Sequence, residues 1–106
     1  NMSSFLKLNK PITAVFAMSD VMAIGIAKCV IDHGLKVPED ISIIGFDGIE
    51  QAWFYNPTIT TIKQPSVEIA KNSVALLIKT IRDKAFSQHL TVSGKLLKGN
   101  SVKVMS

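Results

Sequence analysis

The stretch ITAVFAMSDVMAIGIAKCVIDHGLKVPEDISIIGFD, residues 12–47, holds two apolar runs separated by a segment of helical periodicity. The first run, ITAVFA at 12–17, is β-branched and aromatic and does not alternate with polar residues, so it reads as a buried strand. Ser19 or Asp20 then offers a short side-chain oxygen to cap a helix running from about Val21 to His33, and Gly34 supplies its stop. Ala23, Ile24, Ala27, Val30 and Ile31 form the expected core face. Met22, Ile26 and Cys29 form a second apolar stripe beside it, which implies cover from a second direction. A second subunit or a larger core would each provide it. After the turn Val37-Pro38-Glu39-Asp40, ISIIGF at 41–46 is a second buried strand, ending at Asp47-Gly48.

Outward from this stretch the pattern continues. Glu50 to Tyr55 fits one helical turn, closed before Pro57. TITTIK at 58–63 alternates and gives a third strand. Pro65 and Ser66 open a second long helix that fades near Lys84 to Ser87, with Glu68 in its first turn and Val67, Ala70, Val74, Leu77, Ile78 and Ile81 as its apolar stripe. In the tail, Leu96-Leu97 and Val102 to Val104 are expected to be short strands. Strands alternating with amphipathic helices give an α/β fold with a parallel sheet.

Composition narrows the classes. The chain has 106 residues, 47% hydrophobic, which suits one small domain or a piece of a larger one and argues against disorder. Its one cysteine, Cys29, cannot form an internal disulfide, and a reducing compartment is the natural reading. No apolar run approaches the roughly 18 residues a membrane helix needs, and the first ten residues lack the apolar centre of a signal peptide. A cytoplasmic location is expected. The net charge of +4 comes from lysines scattered over the second half without interleaved aromatics, which describes a solvated face better than a nucleic-acid groove.

Catalytic signatures are missing from the sequence. Cys29 stands mid-helix on an apolar stripe, His33 in a last helical turn, and His89 in a polar loop without ligand-spaced neighbours. No enzyme, cofactor or metal is expected. Binding chemistry fits better, because ligands of parallel α/β sheets sit outside the carboxyl ends of the strands. Ser19, Asp47 and Gln64 each follow directly on an expected strand and should gather on that edge. An Asp there accepts two hydrogen bonds from neighbouring hydroxyls, as on a sugar, and Gln and Ser both donate and accept. Each also has a plainer reading: Ser19 as helix cap, Asp47 as turn former before Gly48, Gln64 as a solvated residue before Pro65. Trp53, Phe54 and Tyr55 are consecutive and cannot all point inward, so at least one should meet a ligand, a partner or the sheet end.

Three segments, SDVMAIG, GLKVPEDISIIGFD and PTITTIKQP, in this order and spacing, make the sequence resemble LacI/GalR-type transcription regulators from residue 11 to about residue 82. The resemblance implies the periplasmic-binding-protein type I fold, a three-layer α/β lobe with a parallel sheet, with residues 1–106 as an incomplete C-terminal lobe of the effector-binding and dimerisation domain. It implies effector contacts at Ser19, often Asn in the family, and at Asp47 and Gln64, with Asp20 as the helix cap beside them. It places the helix beginning near Met22, with Ile26 and Cys29, and the segment around Tyr55 on the dimer surface. The family's usual close, an Arg before a Ser or Thr, is only loosely matched near Lys103. Implied partners are a sugar-like small-molecule effector, a second copy of the chain, and operator DNA through an N-terminal helix-turn-helix that these residues do not contain, with no membrane. A lobe of a sugar-type periplasmic solute-binding protein is the alternative that the same fold allows. Without the companion lobe, a bare sheet edge open to pairing with another copy is expected.

Overall fold

The computed structural model describes residues 2–7 and 11–105. In chain order the elements are α1 (Met2–Leu6), β1 (Ala14–Phe16), α2 (Asp20–Asp32), β2 (Ser42–Asp47), α3 (Glu50–Phe54), β3 (Thr60–Lys63), α4 (Ser66–Arg82) and β4 (Lys95–Leu97). The strands form one open sheet in the order β1-β2-β3-β4. β1 pairs with β2 in parallel, Phe16 opposite Ile44, and β2 pairs with β3 in parallel, Ile44 opposite Thr60. The expected α/β sheet with parallel strands is therefore present. The chain divides into two compact units, residues 1–63 with 96–106, and residues 64–95.

In the first unit α2 packs on the sheet. Ala23, Ala27 and Val30 are buried with Ala17, Ile41, Ile43, Ala52 and Ile59. Small residues on the helix face let it lie close to the strands, and Ile24 joins the core partly buried. Ile31, expected on the same face, is exposed instead. The helix ends as Gly34 predicts. Gly34 has φ +81, its N–H donates to Ile31 O at 2.9 Å, and Leu35 N–H reaches back to Val30 O at 3.2 Å. This is the Schellman pattern, and the flanking pair Val30 and Leu35 both pack in the core. On the outer surface Lys28 and Asp32 pair at 3.0 Å, and the hydrogen bond to Asp32 raises the Lys28 pKa from its ordinary value. Both groups are well exposed, so the pair contributes little to stability.

Two expectations about strands are corrected. β1 is an edge strand of the described sheet, and Phe16 on it is 62% exposed, because its outer side has no strand to cover it among the described residues. The apolar run at 12–17 is thus less buried than its composition suggests. Val102 to Val104 do not form a strand. The tail instead stitches the sheet through Ser101, which is fully buried. Ser101 Oγ accepts from Thr60 N–H at 2.8 Å and donates to Ile43 O at 2.5 Å, while Ser101 O accepts from Ile43 N–H at 2.7 Å. Asn100 N–H donates to Thr58 O and Lys103 N–H to Ser42 Oγ, so residues 100–103 run beside β2 where β3 has not yet begun.

The second unit holds α4, with Lys79 Nζ lying 5.7 Å from the Phe86 ring centroid. No residue of α4 is buried. Val67, Val74, Leu77, Ile78 and Ile81, the stripe expected from periodicity, are all exposed.

Replacing Ser101 by Ala removes the acceptor of a buried backbone N–H and the donor to a buried carbonyl. The expected loss is about 1–3 kcal/mol of unfolding free energy, read from urea denaturation.

Candidate functional site

The carboxyl edge of the sheet is built from the register. β1 and β2 run in parallel with Phe16 opposite Ile44, so Ser19, three residues after Phe16, and Asp47, three residues after Ile44, both fall at the carboxyl edge of the sheet. Ser19 is the N-cap of α2: its backbone is extended, and its Oγ accepts from Met22 N–H at 3.2 Å. It is only half-buried, and its hydroxyl proton is free to face a ligand oxygen while the oxygen serves the helix.

Asp47 has φ +131, the one non-glycine residue with positive φ among those described. A side chain in that region is strained, and such strain persists only where the surroundings over-determine it. Those surroundings are visible. Asp47 is the last residue of β2 and sits opposite Lys63 at the end of β3. Gly48 follows at φ +81, and a Cβ on it would come within 2.7 Å of Lys63 Cα, so only glycine passes there.

Asp20 departs from its expected role. The cap is Ser19, and Asp20 is the first residue inside the helix, fully buried. Its carboxylate leaves its own helix: Oδ2 accepts from Gly48 N–H at 2.7 Å and Ile49 N–H at 2.8 Å, and Oδ1 accepts from Thr61 Oγ1 at 2.5 Å. Gly45 is glycine for the same reason, since a Cβ there would collide with Asp20 Oδ1. Sequence reading missed Thr61 and Gly45 as parts of this edge. A glycine inside the otherwise β-branched run ISIIGF was the available signal, because it marks a close approach.

Gln64 follows β3 directly and opens the second unit, and it is half-buried. Tyr55 closes α3, its N–H donating to Gln51 O, and it packs partly buried against the core. Its neighbours Trp53 and Phe54 are 57% and 76% exposed, so the aromatic triplet divides as a short helix requires. Met22, Ile26 and Cys29 lie together with Met2, Phe5 and Phe16 along an apolar groove of about 880 Å³ on α1, β1 and α2. Neither Ser19 nor Asp47 lines that groove. Cys29 Sγ is within 3.4 Å of Ser3 Oγ, and 3.8 Å from His33 Nδ1, whose shorter contact of 2.8 Å is to the backbone carbonyl of Cys29. No cluster of potential metal ligands exists among the described residues.

The strain at Asp47 is measurable. Asp47→Gly and Asp47→Ala both delete the carboxylate, but only glycine adopts φ +131 freely. The Gly variant should be the more stable of the two by about 1 kcal/mol in denaturant unfolding. Equal stabilities would mean the backbone relaxes without cost.

Residues 2–102 match the family described as periplasmic binding protein-like domain. The HTH-type transcriptional regulator MalR of Clostridium butyricum is 46% identical over 101 residues, 95% of this chain and 30% of its own length. The lac repressor dimer bound to operator and the anti-inducer ONPF superposes with a TM-score of 0.87 at 28% identity, covering 97% of this chain and 36% of that one. A LacI family regulator from Enterococcus faecium with bound ribose gives 0.78 at 29% identity, covering 99% and 39%. The chain thus spans about a third of the proteins it matches. By its matched residues and its sheet the chain belongs to the periplasmic binding protein-like domain family, and the relatives it matches are LacI-type transcription regulators.

Proposed function

We propose that this chain is the effector-sensing and dimerising portion of a DNA-binding transcription regulator, a repressor whose operator affinity responds to a sugar or similar small polar ligand. One observation carries the reading. Ser19 follows β1 and Asp47 ends β2, two hydrogen-bonding side chains on the carboxyl edge of neighbouring parallel strands, and Asp47 has a strained backbone conformation. That edge is where open α/β sheets bind ligands, and Asp with Ser suits vicinal hydroxyls. The ribose-bound relative supports the sugar class. Gln64 is a further candidate contact. The relatives named as HTH-type regulators favour this role over a transporter's solute-binding lobe.

The ligand acts by preferring one arrangement of the whole domain, which shifts the regulator's equilibrium and with it operator affinity. Operator contact belongs to a DNA-reading module outside these residues, and the protein works in the cytoplasm without enzymatic activity. No described helix is long and apolar enough to cross a membrane.

The whole protein carrying this chain should bind at least one member of a panel of ribose, glucose, maltose, lactose and cellobiose in titration calorimetry. Asp47→Ala should weaken that binding by about 10- to 100-fold, the loss of one or two hydrogen bonds to a charged group, and Ser19→Ala by less. A wild type that binds none of the panel overturns the sugar reading.

The second copy is proposed to dock on the stripe of Met22, Ile26 and Cys29, with Tyr55 at its margin. Met22 is 53% exposed and the stripe borders an uncovered apolar groove, a surface that a lone subunit rarely leaves bare. Met22→Glu should convert a dimer to a monomer in light scattering. A protein that is monomeric before substitution would assign those residues to cover from its own chain.

A further inference from the structure

Asp20 is a fully buried charge that neither caps its helix nor faces the ligand edge with a free oxygen. Its three hydrogen bonds go to residues that surround Asp47 in space: two to the N–H groups of the next two residues, Gly48 and Ile49, and one to Thr61, two residues before Lys63, the ladder partner of Asp47. Asp20 is also joined covalently to Ser19. One carboxylate therefore ties the ends of β1, β2 and β3 at the level where the candidate ligand contacts stand. We propose that Asp20 is the positioning residue of the effector site, holding Asp47 at its positive φ on the edge it shares with Ser19 through its grip on the Gly48 and Ile49 amides.

The geometry explains why a carboxylate is needed. Two backbone N–H groups converge on Oδ2, which fixes both peptide planes after Asp47 and leaves the preceding dihedral to absorb the strain. A charged acceptor binds two amides more firmly than a neutral one. Asn keeps one oxygen for the amide pair and turns an NH2 toward Thr61, whose hydroxyl must then accept instead of donate, and its neutral oxygen holds the two amides less firmly than a carboxylate. The strand side is closed by Thr61, and Gly45 leaves room for Oδ1. Release of Asp20 frees the turn to return Asp47 to an ordinary conformation, and the site loses its preset geometry although both ligand contacts remain in the sequence.

This inference rests on the reading of Asp47 as an effector contact, and two measurements separate its failure from the failure of that reading. The first needs no ligand. In the whole protein, the urea midpoints of Asp47→Gly and Asp47→Ala are compared with Asp20 intact and in the Asp20→Asn background. If Asp20 enforces the positive φ, the advantage of Gly over Ala shrinks or vanishes when Asp20 is replaced. An unchanged advantage assigns Asp20 to general stability and overturns the proposal. The second uses whichever sugar of the ribose, glucose, maltose, lactose and cellobiose panel the wild type binds. Asp20→Asn should weaken that sugar by about tenfold with Asp47 present and leave it unchanged in the Asp47→Ala background, the non-additivity of residues acting as one unit. Equal losses in both backgrounds overturn the proposal. If no sugar of the panel binds, the effector reading falls and the first measurement still decides the role of Asp20. Should Asp20→Asn fail to fold, Thr61→Val, which removes one of the three donors, is read in the same two cycles and should give the same pattern with smaller amplitude.

Discussion

A carboxylate removed from water is costly unless its oxygens find donors, and the interior must be shaped around it. At the carboxyl edge of this sheet that demand organises the neighbourhood. Asp20 takes two amides from the turn after β2 and a hydroxyl from β3. Gly45 gives up its side chain to admit the carboxylate, and Thr61 is buried facing it. The first turn of α2 and the entry to α3 are thereby fixed to one point. The remainder of the core is apolar and tolerant of exchange among similar volumes, but this point accepts few substitutes.

The local signals in the sequence were legible where they rest on short-range chemistry. The alternation of apolar runs with a helical stripe gave β1, α2 and β2 with ends displaced by a few residues, and Gly34 marked the helix stop because only its backbone freedom admits the turn. Ser19 and Asp47 could be nominated because both follow strands. The dividing line is sequence separation. Asp20 bonds to partners 28, 29 and 41 residues away, and Ser101 to partners 41 and 58 away. A short polar residue looks like a cap or a tail residue until the sheet brings its partners to it. The edge position of β1 was hidden for a related reason, since an apolar run records what a strand meets in its complete surroundings rather than in the described sheet.

The exposed apolar surfaces follow from the same argument. Phe16 on the outer strand, the groove over α2, and the stripe of α4 within the second unit are patterned as core and stand uncovered among the described residues. A sheet edge carrying such residues is a template for pairing with another chain unless something shields it. Relatives about three times the length of this chain have the additional polypeptide with which such faces can be covered.

Ser101 closes the sheet from the far end of the chain, and this carries a consequence for biosynthesis. Thr60 N–H and Ile43 O find their partner only when Ser101 is available. Until the tail has left the ribosome, the two central strands carry unmatched polar groups at their amino ends, and the nascent sheet is incomplete however well its strands are already paired. Such distant closure makes folding wait on translation. A chain halted a few codons before Ser101 would expose that seam to chaperones and proteases, so synthesis that stops short leaves a product marked for removal rather than a working half-domain.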